Sequence, residues 1–266
     1  MRLSFTQVDA FADAPFAGNP AAVMPLAGWL DDAVLQAIAE ENNLSETAFI
    51  VATPDDAEAD FALRWFTPTD EVALCGHATL ASGHVVLSSD TALSRVRFRT
   101  REAGILAVER ADAGYLMALP AWRPAPADLA GYVDALGIDS AEDCLWHDKG
   151  YALIVVSDEA IVRGLEPDQR KLKAAGRAVV IVTARGDATD IVSRVFTPAF
   201  GIDEDPVTGA AHAVMVPYWA DRLGRDTFTA FQASARGGRL TCRFADTQVI
   251  LGGACVTTIE GTFLLP

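Results

Sequence analysis

The chain has 266 residues, of which 51% are hydrophobic and 21% charged, with 13 Phe and 5 Trp. That length and apolar content suit one large domain or two ordinary ones and exclude a disordered or fibrous protein. Asp and Glu number 36 against 21 Lys and Arg, and the net charge of −15 excludes the basic footprint of a nucleic-acid binder or of a protein held on anionic lipid.

Cys75, Cys144, Cys242 and Cys255 form no CxxC pair and are too sparse for a disulfide scaffold. Free thiols in a reducing cytosol are the expectation. His77, His84, His147 and His212 form no HExxH and have no cysteine at zinc-ligand spacing, so no metal is expected. Met1–Phe5 runs straight into a strand pattern without the features of a signal peptide. No segment offers the ~20 uninterrupted apolar residues of a spanning helix. A cytoplasmic protein away from membranes is the expectation.

Leu3–Phe11 alternates and is rich in β-formers, which predicts a strand. Asp13–Pro20 is punctuated by Gly, Asn and Pro and reads as a loop. Leu30, Val34, Leu35 and Ile38 are spaced for a helix over Leu30–Asn42, closed by Asn42-Asn43. Strands follow at Thr47–Ala52 and Phe61–Phe66. Gly76–Leu87 is apolar nearly all round, which predicts a helix buried on most sides. Three short strands are expected near 95–100, 105–110 and 115–119. Pro120–Pro126 is the best candidate linker. Beyond it, Glu166–Gly176 reads as a helix, and Val179–Thr183 and Ile191–Phe196 as strands. Thr208–Leu223 reads as a second buried helix with Pro217 inside, and the stretch from Phe228 as β-rich.

The order of elements repeats. Arg64-Trp65-Phe66-Thr67-Pro68 precedes Gly76 by 8 residues from its proline, and Arg194-Val195-Phe196-Thr197-Pro198 precedes Gly209 by 11. Strands at Thr47–Val51 and Ala178–Val182 stand at matching distances upstream. The expectation is a duplicated unit, with domains at 1–120 and 121–266 and a C-terminal strand able to pack back on the first. Two like domains would form a ligand cleft where they face each other.

Each apolar helix opens after a polar loop, with Gly76 and Gly209 in the first turns. Free N–H groups and the positive dipole end make such a start an anion site, and glycine lets a ligand approach the backbone. Ordinary capping by Thr and Asp is the competing account. Glu46 stands between a helix end and an apolar strand, where partial desolvation would tune it as a general base. The matching place in the second half is near Arg177, so this acid stands outside the repeat. Asp205 precedes Pro206 and is held extended. His77 lies in the first helical turn, where the dipole favours neutral imidazole. A strand-end Glu, a helix cap and a satisfied core histidine are their structural alternatives. Cys75, just before the helix, would have a lowered pKa there. Thr208 stands at its counterpart, which disfavours a two-thiol racemase. Ser45 and Ser234 have no neighbouring base in a hydrolase motif.

These stretches resemble the PhzF-like (phenazine biosynthesis-like) family along nearly the whole chain. They are Val8–Phe11 with Pro15–Val23, Asn43–Phe49, Arg64–Pro68, Leu74–Thr79, Glu204–Gly209 and Arg236–Gly238. The resemblance implies an α/β (α+β) protein of two pseudo-symmetric diaminopimelate-epimerase-like domains, each a curved, mostly antiparallel sheet around a central helix. It implies a cofactor-free isomerase, usually a homodimer, whose type enzyme acts on trans-2,3-dihydro-3-hydroxyanthranilate. The family's catalytic Glu, His and Asp fall on Glu46, His77 and Asp205. Substrate contacts are expected at Gly18, Asn19, Ser45, Cys75, Gly76, Thr208, Gly209 and Ala210. Many relatives carry Ser where Ala210 stands, so a hydroxyl is missing while the backbone N–H remains.

The leading expectation is a cofactor-independent isomerase that removes and returns a proton on a small carboxylate-bearing substrate, with Glu46 as general acid/base. The alternatives are an epimerase or racemase of a small amino or hydroxy acid, using Glu46 and Asp205 as opposed bases, and a catalytically weak small-molecule binding protein.

Overall fold

The computed structural model describes residues 1–265. The chain runs through β1 (Arg2–Ala10), β2 (Asn19–Leu26), α1 (Asp32–Asn42), β3 (Glu46–Ala52), β4 (Phe61–Phe66), β5 (Glu71–Val72) and α2 (Gly76–Ser89). Next come β6 (Arg95–Arg99), β7 (Ile105–Ala111) and β8 (Gly114–Pro120). Residues 127–165, to which sequence pattern assigns no element, hold α3 (Ala130–Leu136), β10 (Asp143–His147), β11 (Tyr151–Val155) and α4 (Glu159–Gly164), after the short β9 (Ala125–Pro126). Then follow α5 (Gln169–Ala175), β12 (Val179–Arg185), β13 (Ile191–Thr197), β14 (Ile202–Glu204), α6 (Gly209–Leu223), β15 (Thr227–Gln232), β16 (Gly238–Ala245), β17 (Gln248–Gly253) and β18 (Cys255–Leu264). The helix expected over Glu166–Gly176 starts later, because the Asp168 carboxylate accepts from the N–H groups of Arg170 and Lys171 and caps it there.

Two compact units result: Met1–Ala118 with the segment from Gly252 onward, and Leu119–Leu251. The last strand therefore runs with the first unit, where β18 pairs antiparallel with β1 from Leu264 opposite Arg2 to Cys255 opposite Ala10.

In the first unit β2 pairs parallel with β3, β3 antiparallel with β4, β4 parallel with β6, and β6 antiparallel with β7. α2 is the unit's centre, and Gly76–Gly83 is buried throughout. A Cβ on Gly83 would stand 2.4 Å from Val108 Cγ1, so glycine is what lets the helix lie this close to β7. Hydroxyls inside this helix are satisfied within it: Thr79 Oγ1 donates to Cys75 O (2.6 Å) and Ser82 Oγ to Ala78 O (2.7 Å). On the opposite face of the sheet, Leu35 and Ile38 of α1 pack with Phe49, Phe66 and Met24. α1 stops where Asn43 turns left-handed (φ 48°), a conformation asparagine tolerates.

The second unit repeats this order. β11 pairs parallel with β12, β12 antiparallel with β13, β13 parallel with β15, and β15 antiparallel with β16. α6 takes the place of α2. The written repeat becomes a repeated ion pair. Arg64 donates twice to Glu71 (2.7 and 2.7 Å), and Arg194 twice to Glu204 (2.7 and 2.8 Å). Each guanidinium also lies 5.0 Å from a phenylalanine ring two residues on, Phe66 or Phe196. Thr67 Oγ1 donates to Asp70 O and Thr197 Oγ1 to Ile202 O, closing the same turn in both units. Arg64 lies opposite Phe49, and Arg194 opposite Val182. The counterpart of Glu46 is therefore Val179, two residues beyond the Arg177 expected from spacing.

Pro120–Pro126 is not a free linker. Pro217 in α6 has no N–H for the carbonyl of Ala213, one turn back. That carbonyl accepts from Trp122 N–H instead (2.9 Å). The Trp122 ring stacks on His147 (centroids 5.7 Å apart, 14° between planes), and Ala125–Pro126 pairs with β10.

Candidate active site

The first unit gathers four predicted residues at the start of α2. Glu46 opens β3 with its side chain 15% exposed, and its Oε2 lies 2.9 Å from Nε2 of the buried His77. The contact is off the hydrogen-bonding line, and neither atom has an aligned hydrogen-bond partner among the described residues. On the other side of the ring, Asn19 Nδ2 lies 3.1 Å from His77 Nδ1, and Cys75 Sγ lies 3.5 Å from the same nitrogen. A neutral ring accepts from the amide there and carries its proton on Nε2, toward Glu46; a charged ring donates from Nδ1 and is met by the amide oxygen once the amide is turned over.

Burial disfavours charge on His77, while the adjacent Glu46 carboxylate favours it, and the pKa is held above the ordinary histidine value. This reverses the neutral imidazole expected from the helix dipole. Cys75 departs from expectation as well. Burial, reinforced by Glu46, pushes its thiol up to about 11, so at pH 7 it is not a thiolate. Glu46, Cys75 and His77 each offer a donor atom within 4.8 Å of the others. The sulfur and the carboxylate address opposite nitrogens of the ring, so the three do not converge on one point.

Asn19, expected to touch substrate, is fully buried with its amide on His77. Gly18 places it there: its φ is +64°, and a Cβ would stand 2.2 Å from Ala10 O. The buried Asp9 carboxylate accepts from Phe16 N–H (2.8 Å) and fixes the loop that leads to it. Ser45 is half-buried in the turn before β3, and Gly76 is buried in the first turn of α2.

In the second unit a different network opens α6. Asp205 and Thr208 are half-buried, and Gly209 and Ala210 buried. Thr208 is the N-cap residue, yet no side chain caps the helix there. Its Oγ1 donates instead to Asp205 Oδ2 (2.5 Å), and its N–H to Gln232 Oε1 (2.9 Å). Gln232 Nε2 donates to Asp205 O (2.7 Å) and to Thr208 Oγ1 (3.2 Å). His212 Nδ1 donates to Thr208 O (2.8 Å), and burial pushes the His212 pKa down to about 4.

Sequence reasoning missed Gln232 and His212. A signal for Gln232 exists: Phe228 and Ala230 are buried at alternate positions of β15, and Gln232 continues that register. His212 carries no comparable signal.

Comparison with known proteins agrees with this picture. Residues 8–261 match the family model for phenazine biosynthesis-like protein. An uncharacterized isomerase of Pseudomonas aeruginosa is 49% identical over 267 residues, covering 100% of both chains. A phenazine biosynthesis protein of the PhzF family from Enterococcus faecalis has a crystal structure with a TM-score of 0.90 and 43% identity, covering 100% of both chains. A PhzC/PhzF protein from Clostridium difficile gives 0.88 and 35%, covering 99% of this chain and 100% of its own. The two-unit α/β architecture with curved sheets is that of these relatives. Among the described residues no helix is long and apolar enough to cross a membrane.

Proposed function

The chain belongs to the phenazine biosynthesis-like family and is an enzyme of the isomerase type, and from that premise we propose that it moves a proton on a small carboxylate-bearing substrate with Glu46 as general acid/base. The observation that carries this is the half-buried Glu46 carboxylate set 2.9 Å from the buried His77. In the resting pair, carboxylate faces imidazolium. When Glu46 takes a proton from a carbon beside the substrate's activating group, His77 can return one elsewhere through Nε2. The pair's charges then vanish together, so the buried site never holds a lone charge. Asn19 keeps the ring turned for this exchange. First-turn N–H groups of α2 suit the substrate carboxylate. Asp205, with Thr208, is the further proton-handling group.

Cys75 supports this reading over thiol-based epimerisation, because a buried thiol near 11 is a poor base at pH 7. The four cysteines are free, which suits a cytosolic enzyme, and a homodimer is the assembly proposed.

The test is exchange of substrate C–H for solvent deuterium across a panel of cyclic and unsaturated carboxylates. Glu46→Gln is expected to lower the rate by about 10²–10⁴-fold. Exchange at the wild-type rate in that variant would refute the assignment.

A further inference from the structure

Gln232 is fully buried and lies at the end of β15, yet it spends both ends of its amide on the loop before α6. That loop, Asp205–Thr208, is anchored at its start by Asp205 N–H, which donates to Val195 O (3.0 Å). Pro206 offers no N–H, and Ser234 Oγ must donate to Pro206 O (2.8 Å) to hold it. Gln232 ties the two ends of the loop together, through Asp205 O and Thr208 N. It also starts a one-way chain of donors. Gln232 Nε2 gives to Thr208 Oγ1 (3.2 Å), and Thr208 Oγ1 gives to Asp205 Oδ2 (2.5 Å). Because the hydroxyl already receives a hydrogen from the amide, its own hydrogen is directed at the carboxylate, and each bond strengthens the next.

The first unit shows that this is not part of the repeated scaffold. By strand register the counterpart of Gln232 is Thr100, whose Oγ1 donates to Gly104 O (2.9 Å), within its own turn.

We propose that Gln232 is the positioning residue of Asp205, setting the direction of its carboxylate through Thr208. The inference rests on the reading of Asp205 as a proton-handling group, and the experiment separates the two. Gln232→Met keeps the length of the side chain and removes all three bonds. Gln232→Leu removes the same bonds with a more compact uncharged side chain, which serves if the first variant folds poorly. The substrate-free readout is the titration of the Asp205 carboxyl carbon by ¹³C NMR in the full chain, with Asp205→Asn identifying the signal. Both variants are expected to move that titration to higher pH. An unmoved titration in the folded variants overturns the proposal. With trans-2,3-dihydro-3-hydroxyanthranilate as probe in D₂O, Gln232→Met is expected to lower kcat at least tenfold with KM changed less than threefold. Combined with Asp205→Asn it should add no further loss; losses that multiply would overturn the proposal. Wild-type exchange in Asp205→Asn alone would instead refute the reading of Asp205, while the titration still decides the role of Gln232.

Discussion

At the start of α2 the side chains that meet are ionisable: Glu46, His77 and Cys75. At the start of α6 Asp205 meets a hydroxyl and an amide, and the Thr208 carbonyl meets an imidazole that burial keeps neutral. The two helices occupy equivalent places, and both follow an Arg–Glu pair and a threonine-closed turn. Yet at matching positions Cys75, His77 and Thr79 stand opposite Thr208, Ala210 and His212. The backbone, the ion pair and the turn are shared, and the titratable and polar groups around each helix start are particular to each copy. In this fold, the residues proposed to act are those that depart from the internal repeat.

That contrast can be broken by experiment. His77→Gln should cost about 10²-fold in exchange rate, whereas Ala210→Gln at the equivalent place should leave the acid/base pair intact and change mainly KM. Equal losses in kcat would erase the distinction. Next comes pH. His212 titrates at 6.5 in an unfolded chain and near 4 when folded, so the unfolded state binds the extra proton between those values. Its contribution, of order 3 kcal/mol, is complete above pH 6.5 and is lost as pH falls toward 4. Urea unfolding at pH 7 and pH 4.5 should show a smaller difference in His212→Thr, which copies Thr79. The shared scaffold sharpens the comparison. Arg64→Ala should destabilise by about 2–3 kcal/mol, since it removes a nearly buried guanidinium that pairs with both Glu71 and Asp32, although Arg101 still reaches Glu71. Arg194→Ala should cost less, because its side chain is 14% exposed against 5% for Arg64. The smallest effect is expected of Cys75→Ser, with less than a tenfold fall in exchange and no change in pH profile.

Much of this was legible in the residues. The Arg-x-Phe-Thr-Pro repeat marked the duplication because its Arg, Phe and Thr side chains make local contacts that recur. The apolar runs after Gly76 and Gly209 marked the central helices because a helix buried on all sides needs no polar face. Glu46 stood out by falling where a strand opens. What stayed hidden depends on distant parts of the chain. Asn19 reads as a loop residue until the chain 58 positions on brings His77 to it. The Cys75 and His77 pKa values follow from burial and from the Glu46 carboxylate, and helix position alone gives the wrong sign for both. The 127–165 stretch is built of elements too short to show a period.

Pro217 has one more consequence. A proline inside a helix is usually counted as damage, yet here the missing hydrogen works as a key. It leaves one carbonyl of α6 open, at Ala213, and the chain that enters the second unit seats its Trp122 N–H there. That seat defines the axial register between the entering chain and the helix. An insertion between Trp122 and Ala125 would have to bulge rather than slide, because the neighbouring turns of α6 have no vacant acceptor of this origin. Length variation after Trp122 should therefore be penalised.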